Sequence, residues 1–241
     1  MQIDFFEEFP TEENLNKLRL VYWSCLVYVA SHSLKEFKKI EKNIKKINKK
    51  VRVGYWPILK IKEGYWLSAF SRRSALKRIM YELKIKKKKK LIVLWDSELP
   101  MLNPSLFILQ LFNYTRNKRL IYNFLNNAHR YGIKIAIAEN KPKLSKKFGD
   151  KKILMAYSSD FKIAPIKALL NKISSGKKFK DRLEIGLGCI ASGILRIEPI
   201  LKPGKLERDL KICKKFGIKK IVIFRLGGLN KQYVRVLKKY I

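Results

Sequence analysis

The sequence feature that most constrains the fold of this chain is a regular alternation of short apolar runs with longer amphipathic segments, from one end to the other. Most of the short runs are continuously apolar, as parallel strands covered on both faces should be. They occupy residues 2–6, 25–30, 51–56, 91–95, 133–138, 153–157, 183–187 and 220–224. Eight strands alternating with helices over 241 residues predict a single closed (β/α)8 barrel domain spanning residues 1–241, because that fold takes about 250 residues.

The competing fold is a doubly wound open sheet, which would show the same alternation of strands and helices. Nucleotide-binding sheets of that kind carry a glycine-rich phosphate loop after a strand. Neither GxGxxG nor GxxxxGK[ST] follows any predicted strand here, and no composition shift marks a domain boundary. The sequence therefore favours the barrel.

Several helix boundaries follow from capping residues and from the 3.6-residue period. Thr11 is a predicted cap of the first helix, and either Ser71 or Ser74 is predicted to open the helix after the third strand. Residues 104–131 form the longest helical region, for which we expect a break near 114–117.

The net charge of +36 is large for a chain of this size. Taken alone, it is typical of proteins that bind nucleic acid or an anionic membrane surface. The lysines concentrate in 35–50, 84–90 and 141–152, which coincide with predicted outer helix faces and turns. Solvated charge is the ordinary outcome there, so we expect a lysine-rich surface and keep nucleic-acid binding as an alternative.

The N-terminal residues and the apolar stretches of the chain predict a cytoplasmic location. Glu7 and Glu8 lie where a signal peptide would carry Lys or Arg, and the longest apolar stretch, 20–34, is too short to span a bilayer. The three cysteines are isolated, which excludes a disulfide framework and a CxxC metal site. The sequence does not predict an oligomeric state.

The candidate active site lies at the C-terminal ends of the strands, because barrels of this class assemble their sites there. Six of the 19 acidic residues follow predicted strands directly: Glu7, Glu8, Asp96, Glu98, Glu139 and Asp160. Converging carboxylates repel one another, so a cluster of them indicates cation binding, proton sharing or acid–base catalysis. The alternative for any single carboxylate of this set is a structural role, either as a helix cap or as an ion-pair partner of Arg225 or a lysine.

Aromatic residues accompany these acids and suit a sugar ring, which offers C–H faces and hydroxyl edges. Tyr55, Trp56, Trp95 and Tyr157 fall at strand ends, and Tyr65 and Trp66 lie just beyond the third strand. Arg225 follows the eighth strand and completes the predicted substrate-binding set.

Three segments carry a resemblance to a known family. WDSELP, with Asp96 and Glu98 spaced as DxE, resembles the end of the DxxDxDxE signature of family 18 glycoside hydrolases, the chitinase-like barrels. LMAYSSD and IGLGCIASG are similar to strands six and seven of that family. The resemblance implies that Glu98 is the general acid, and that Asp96 and Tyr157 hold the N-acetyl group of the substrate. The two earlier aspartates of the signature are Leu91 and Leu94 here. The chain also carries EEFP on the first strand and FRLGG on the eighth, which that family does not explain and which resemble a separate, uncharacterised group of archaeal-type barrels.

The leading hypothesis is accordingly a glycoside-hydrolase-like enzyme acting on a carbohydrate, with Glu98 as acid and Asp96, Glu8 or Glu139 as its partner. It needs no cofactor and no metal site. The alternative is a metal-assisted isomerase or aldolase of a sugar or sugar phosphate, in which the carboxylates hold Mg²⁺ or Mn²⁺ and Gly227 and Gly228 cradle a phosphate. His32 and His129 are the only histidines, which excludes a histidine-rich zinc site. A non-catalytic scaffold is the third possibility.

Overall fold

The computed structural model describes residues 1–85, 91–140, 147–157, 166, 170 and 183–241. Eight parallel strands are hydrogen-bonded in sequence order and close into a barrel, which confirms the predicted fold class. The strands are β1 Gln2–Glu7, β2 Leu26–Ser31, β3 Arg52–Pro57, β4 Leu91–Asp96, β5 Ile133–Glu139, β6 Lys151–Met155, β7 Leu183–Cys189 and β8 Lys220–Phe224. Each of them coincides with a predicted apolar run to within two residues at either end.

Seven α-helices lie within the described ranges. They are α1 Glu12–Asn16, α2 Leu34–Ile47, α3 Arg73–Ile85, α4 Leu106–Leu109, α5 Tyr114–Asn127, α6 Pro203–Lys215 and α7 Lys231–Lys238. Their apolar stripes are buried, as with Leu34, Phe37 and Ile44 of α2, and every residue of β7 is buried too. This double covering explains why the strand sequences are continuously apolar.

The predicted helix boundaries were correct for α1 and wrong in two other places. Thr11 caps α1 by accepting a hydrogen bond from the Asn14 amide. Neither Ser71 nor Ser74 caps α3, which begins at Arg73. The Ser71 hydroxyl instead donates to the Trp66 carbonyl at 2.6 Å and accepts from the Ser68 amide, so it orders the preceding loop.

The break in the long helical region lies at residues 110–113, before the predicted position of 114–117. Asn117, which was predicted to lie in the break, is instead a buried residue of α5 with hydrogen-bond partners outside the helix. Its side-chain amide donates to the carbonyls of Ala69 and Ser71 at 2.9 and 3.0 Å. The sequence shows only a polar residue in a helix and not the loop carbonyls that hold it.

The chain groups into two compact units. The first contains residues 1–29, 40–53 and 153–241, and the second contains residues 30–39 and 54–152. In the described residues no helix combines the length and apolarity that crossing a bilayer requires. The single domain and the cytoplasmic location stay predictions.

Candidate active site

The second unit contains a pocket of about 490 Å³, within the usual range for small-molecule sites. Two acids and three aromatic side chains face it, together with one lysine. The lining residues are Leu67, Ser68, Ala69, Phe70, Ser97, Glu98, Leu99, Tyr114, Lys118, Ile121, Tyr122, Glu139 and Asn140. The pocket therefore combines ionisable groups with flat apolar surfaces at the C-terminal ends of β4 and β5.

Glu98 is placed by the turn that follows β4. Its backbone amide donates to the Asp96 carboxylate at 3.3 Å, a side-chain turn that aspartate forms readily. The Asp96 side chain is buried and is not among the groups that line the pocket, whereas Glu98 is half-buried in the wall. Asp96 thus shapes the turn, and Glu98 is the acid of this turn that lies in the pocket wall.

Glu139 reaches the same pocket from the neighbouring strand. The register of β4 and β5 pairs Asp96 with Ala138, which places Glu139 one residue beyond the pair. The Ser97 amide and hydroxyl both donate to the Ala138 carbonyl, at 3.3 and 3.2 Å, and so fasten the two strand ends together. The Glu139 side chain is only 7% exposed and belongs to the pocket wall.

The aromatic wall consists of residues that the sequence analysis missed. Phe70 packs against Tyr114 with ring centroids 4.7 Å apart, and Tyr122 lies further along α5. The Lys118 ammonium lies 5.7 Å from the Tyr122 ring centroid, at the same pocket. None of these residues follows a strand, so the rule that located the acids could not find them.

The predicted aromatic binding residues lie elsewhere. Trp95 is fully buried against Phe124 of α5, with ring centroids 5.6 Å apart. Tyr55 is fully buried against Phe37 of α2 at 5.0 Å, and burial raises the pKa of its hydroxyl well above the usual value. Trp56 is 3% exposed and does not line the pocket. Successive residues of a strand face opposite sides, so a Trp95 that contacts α5 puts Asp96 on the other face.

In the first unit, Glu7 forms a buried ionic network. Its carboxylate accepts hydrogen bonds from the Arg225 guanidinium at 3.1 Å, the Gly227 amide at 2.6 Å and the Phe9 amide at 2.7 Å. Burial raises the pKa of Glu7 to about 7, although the positive charge of Arg225 and the backbone hydrogen bonds oppose the shift. Arg225 also donates to the Ser192 carbonyl at 3.0 Å.

This network argues against the phosphate site that the metal-assisted alternative places at Gly227 and Gly228. The Gly227 amide donates to Glu7, and the Gly228 amide donates to the Arg225 carbonyl at 3.1 Å. Both amides are therefore committed within the protein, and a carboxylate of the chain takes the place that a phosphate would need. In the ranges that the structure describes, no three His, Cys, Asp or Glu side chains gather closely enough to hold a metal ion.

Glu8 and Tyr157 are the remaining candidates of the first unit. Glu8 is 4% exposed, and its carboxylate accepts from the Ile194 amide at 2.9 Å. The half-buried Tyr157 ring lies 5.6 Å from the Phe224 ring. Asp160, a predicted substrate-binding residue, lies outside the described residues.

The closed parallel barrel is shared with solved structures of other proteins. No protein-family profile and no curated protein matches the chain. Among solved structures, it is similar over 100% of its length to 98% of the glycoside hydrolase domain of PgaB (BpsB) from Bordetella bronchiseptica, with a TM-score of 0.64 and 11% identity.

Two chitinases have the same fold. The C-terminal domain of a putative chitinase from Desulfitobacterium hafniense DCB-2 matches with a TM-score of 0.59 and 11% identity, over 99% of this chain and 97% of that one. A class V chitinase from Pseudomonas fluorescens Pf-5 matches with a TM-score of 0.55 and 10% identity, over 99% of each chain. At such identities the likeness shows the fold alone, a closed (β/α)8 barrel.

Proposed function

We propose that this protein is a glycoside hydrolase whose catalytic pocket is the one lined by Glu98 and Glu139. The main observation behind the proposal is that two acidic residues, from the ends of adjacent strands, line one pocket together with Phe70, Tyr114 and Tyr122. Glycosidases use a pair of carboxyl groups beside the scissile bond, and aromatic rings bind the C–H faces of sugars. The chitinases of like fold suggest polymers of N-acetylglucosamine as the first substrates to test.

Glu98 is the proposed general acid. Its proton moves to the glycosidic oxygen as the bond between that oxygen and the anomeric carbon breaks, and the bonding electron pair leaves with the oxygen. The Glu139 side chain stabilises the positive charge that develops on the sugar ring. Water then adds to the anomeric carbon and returns a proton to a carboxylate. Asp96 serves as a positioning residue, because its hydrogen bond fixes the Glu98 backbone.

The test compares two substrates whose leaving groups differ in their need for a proton. Glu98→Gln should lower kcat on an N-acetylglucosamine oligomer by about 10² to 10⁴-fold, the usual contribution of a general acid. On a 2,4-dinitrophenyl glycoside, whose leaving group departs without protonation, the same variant should stay within about tenfold of wild type. Glu139→Gln should lose activity on both substrates.

The matched control is Glu13→Gln, which makes the same chemical change at an exposed position of α1. It should leave both activities unchanged. Full turnover of the oligomer by folded Glu98→Gln would remove Glu98 from the mechanism. An equal loss on both substrates would show that Glu98 does not act by protonating the leaving group.

A further inference from the structure

We propose that the protein docks on anionic lipid bilayers through the segment 99–112, which we call the apolar ledge. The ledge includes α4 and its flanks in the second unit, and six of its large apolar side chains are exposed. They are Leu99 at 47%, Met101 at 55%, Ile108 at 79%, Leu109 at 59%, Leu111 at 62% and Phe112 at 90% exposure. Large exposed apolar side chains concentrated in one short segment indicate an interaction site.

Two side chains on the inner side of the ledge anchor the segment to the rest of the protein. Leu106 is fully buried, and the Phe107 ring packs against Phe70 with centroids 4.9 Å apart. With these two residues directed into the protein, Ile108, Leu109 and Phe112 project to the outside. The ledge is therefore an anchored surface that presents its largest apolar side chains to whatever lies beyond it.

The charged residues near the ledge indicate what kind of partner it binds. Between Glu98 and Glu139 the chain has no Asp or Glu, whereas Arg116, Lys118 and Arg119 follow the ledge on α5 and are exposed. Apolar side chains beside exposed cations are the pattern of interfacial segments that insert below the headgroups of anionic lipids. A nucleic acid would use the cations and stack bases on Phe112, but it would leave the exposed aliphatic side chains of Ile108 and Leu109 without a role.

A second copy of the chain is disfavoured as the partner. Each copy carries a net charge of +36, so two ledges facing each other would bring like charges together. An anionic bilayer reverses the sign of that interaction and also accepts the apolar side chains. Leu99 of the ledge and Tyr114 just beyond it both line the pocket, so docking would bring the pocket to the lipid surface.

The first experiment is co-sedimentation of the full chain with vesicles of phosphatidylcholine alone and with vesicles that contain about 30% phosphatidylglycerol. We expect binding to the anionic vesicles that weakens with salt. Ile108→Ser/Phe112→Ser should lower the partition coefficient by at least about tenfold. The matched control is Ile197→Ser/Ile200→Ser, which removes two other exposed isoleucines, at 74% and 60%, and should bind as wild type does.

A second variant reports insertion directly. The native tryptophans, Trp23, Trp56, Trp66 and Trp95, are at most 8% exposed. The indole introduced by Phe112→Trp is therefore a distinct exposed reporter, and brominated acyl chains should quench it. Absence of vesicle binding by wild type, full binding by the double serine variant, or an unquenched reporter would each overturn the proposal. So would a dimer in sedimentation velocity that the double serine variant abolishes, because the ledge would then bind a second copy.

Discussion

The buried pair of Glu7 and Arg225 gives the sharpest prediction about stability. Glu7 is fully buried, and burial raises its pKa from 4.5 to about 7. Because the folded state holds the proton more tightly than the unfolded state, this group's contribution to stability is fully present below pH 4.5 and is lost as pH rises through about 7. At 1.36 kcal/mol per pKa unit, the contribution is about 3 kcal/mol.

Glu7→Gln should remove this dependence. The fall in the free energy of unfolding between pH 5 and pH 8 should be smaller in the variant than in wild type by about 2.5 kcal/mol, because part of the contribution is already lost between pH 4.5 and pH 5. Urea denaturation at the two pH values measures it. Glu207→Gln is the control, because its carboxylate pairs with the exposed Lys239, and such a surface pair is worth at most about 1 kcal/mol.

Arg225→Met tests the other side of the pair. It leaves the Glu7 carboxylate buried without its cation, which should cost about 3–5 kcal/mol at pH 8. The cost should be smaller at pH 5, where Glu7 is protonated and needs no counter-charge. A loss that is the same at both pH values would refute the reasoning, because the damage would then come from packing and not from the buried charge.

Two further changes probe the framework of the protein. Asn117→Leu should lower the free energy of unfolding by about 2–3 kcal/mol in urea denaturation, because two loop carbonyls lose their donor, while Asn126→Leu at an exposed position of α5 should change it little. Gly228→Ala should destabilise strongly, since its added Cβ would overlap the Ile190 carbonyl, whereas Gly204→Ala, with open space around it, should raise the thermal midpoint slightly. A thermal melt in which both alanine variants behave alike would contradict the packing argument.

The sequence did not predict which aromatic residues line the pocket. Trp95 and Tyr55 were assigned to substrate because they lie at strand ends, yet both pack beneath helices. Strand residues alternate between two faces, and a continuously apolar strand gives no sign of which face is which. Phe70, Tyr114 and Tyr122 reach the pocket from a loop and a helix, and no local signal marks them as neighbours.

The sequence alone determined the strands, their parallel closure and the position of Glu98, Glu139 and Glu7 at strand ends. These depend on local periodicity and on a general rule of barrels, which act over a few residues at a time. Only the tertiary structure decided which acids are used for what purpose: Glu7 is enclosed by Arg225 and backbone amides, whereas Glu98 and Glu139 face a pocket. The physical reason is that burial and partnership of a carboxyl group depend on atoms far away in the chain, here 218 residues between Glu7 and Arg225.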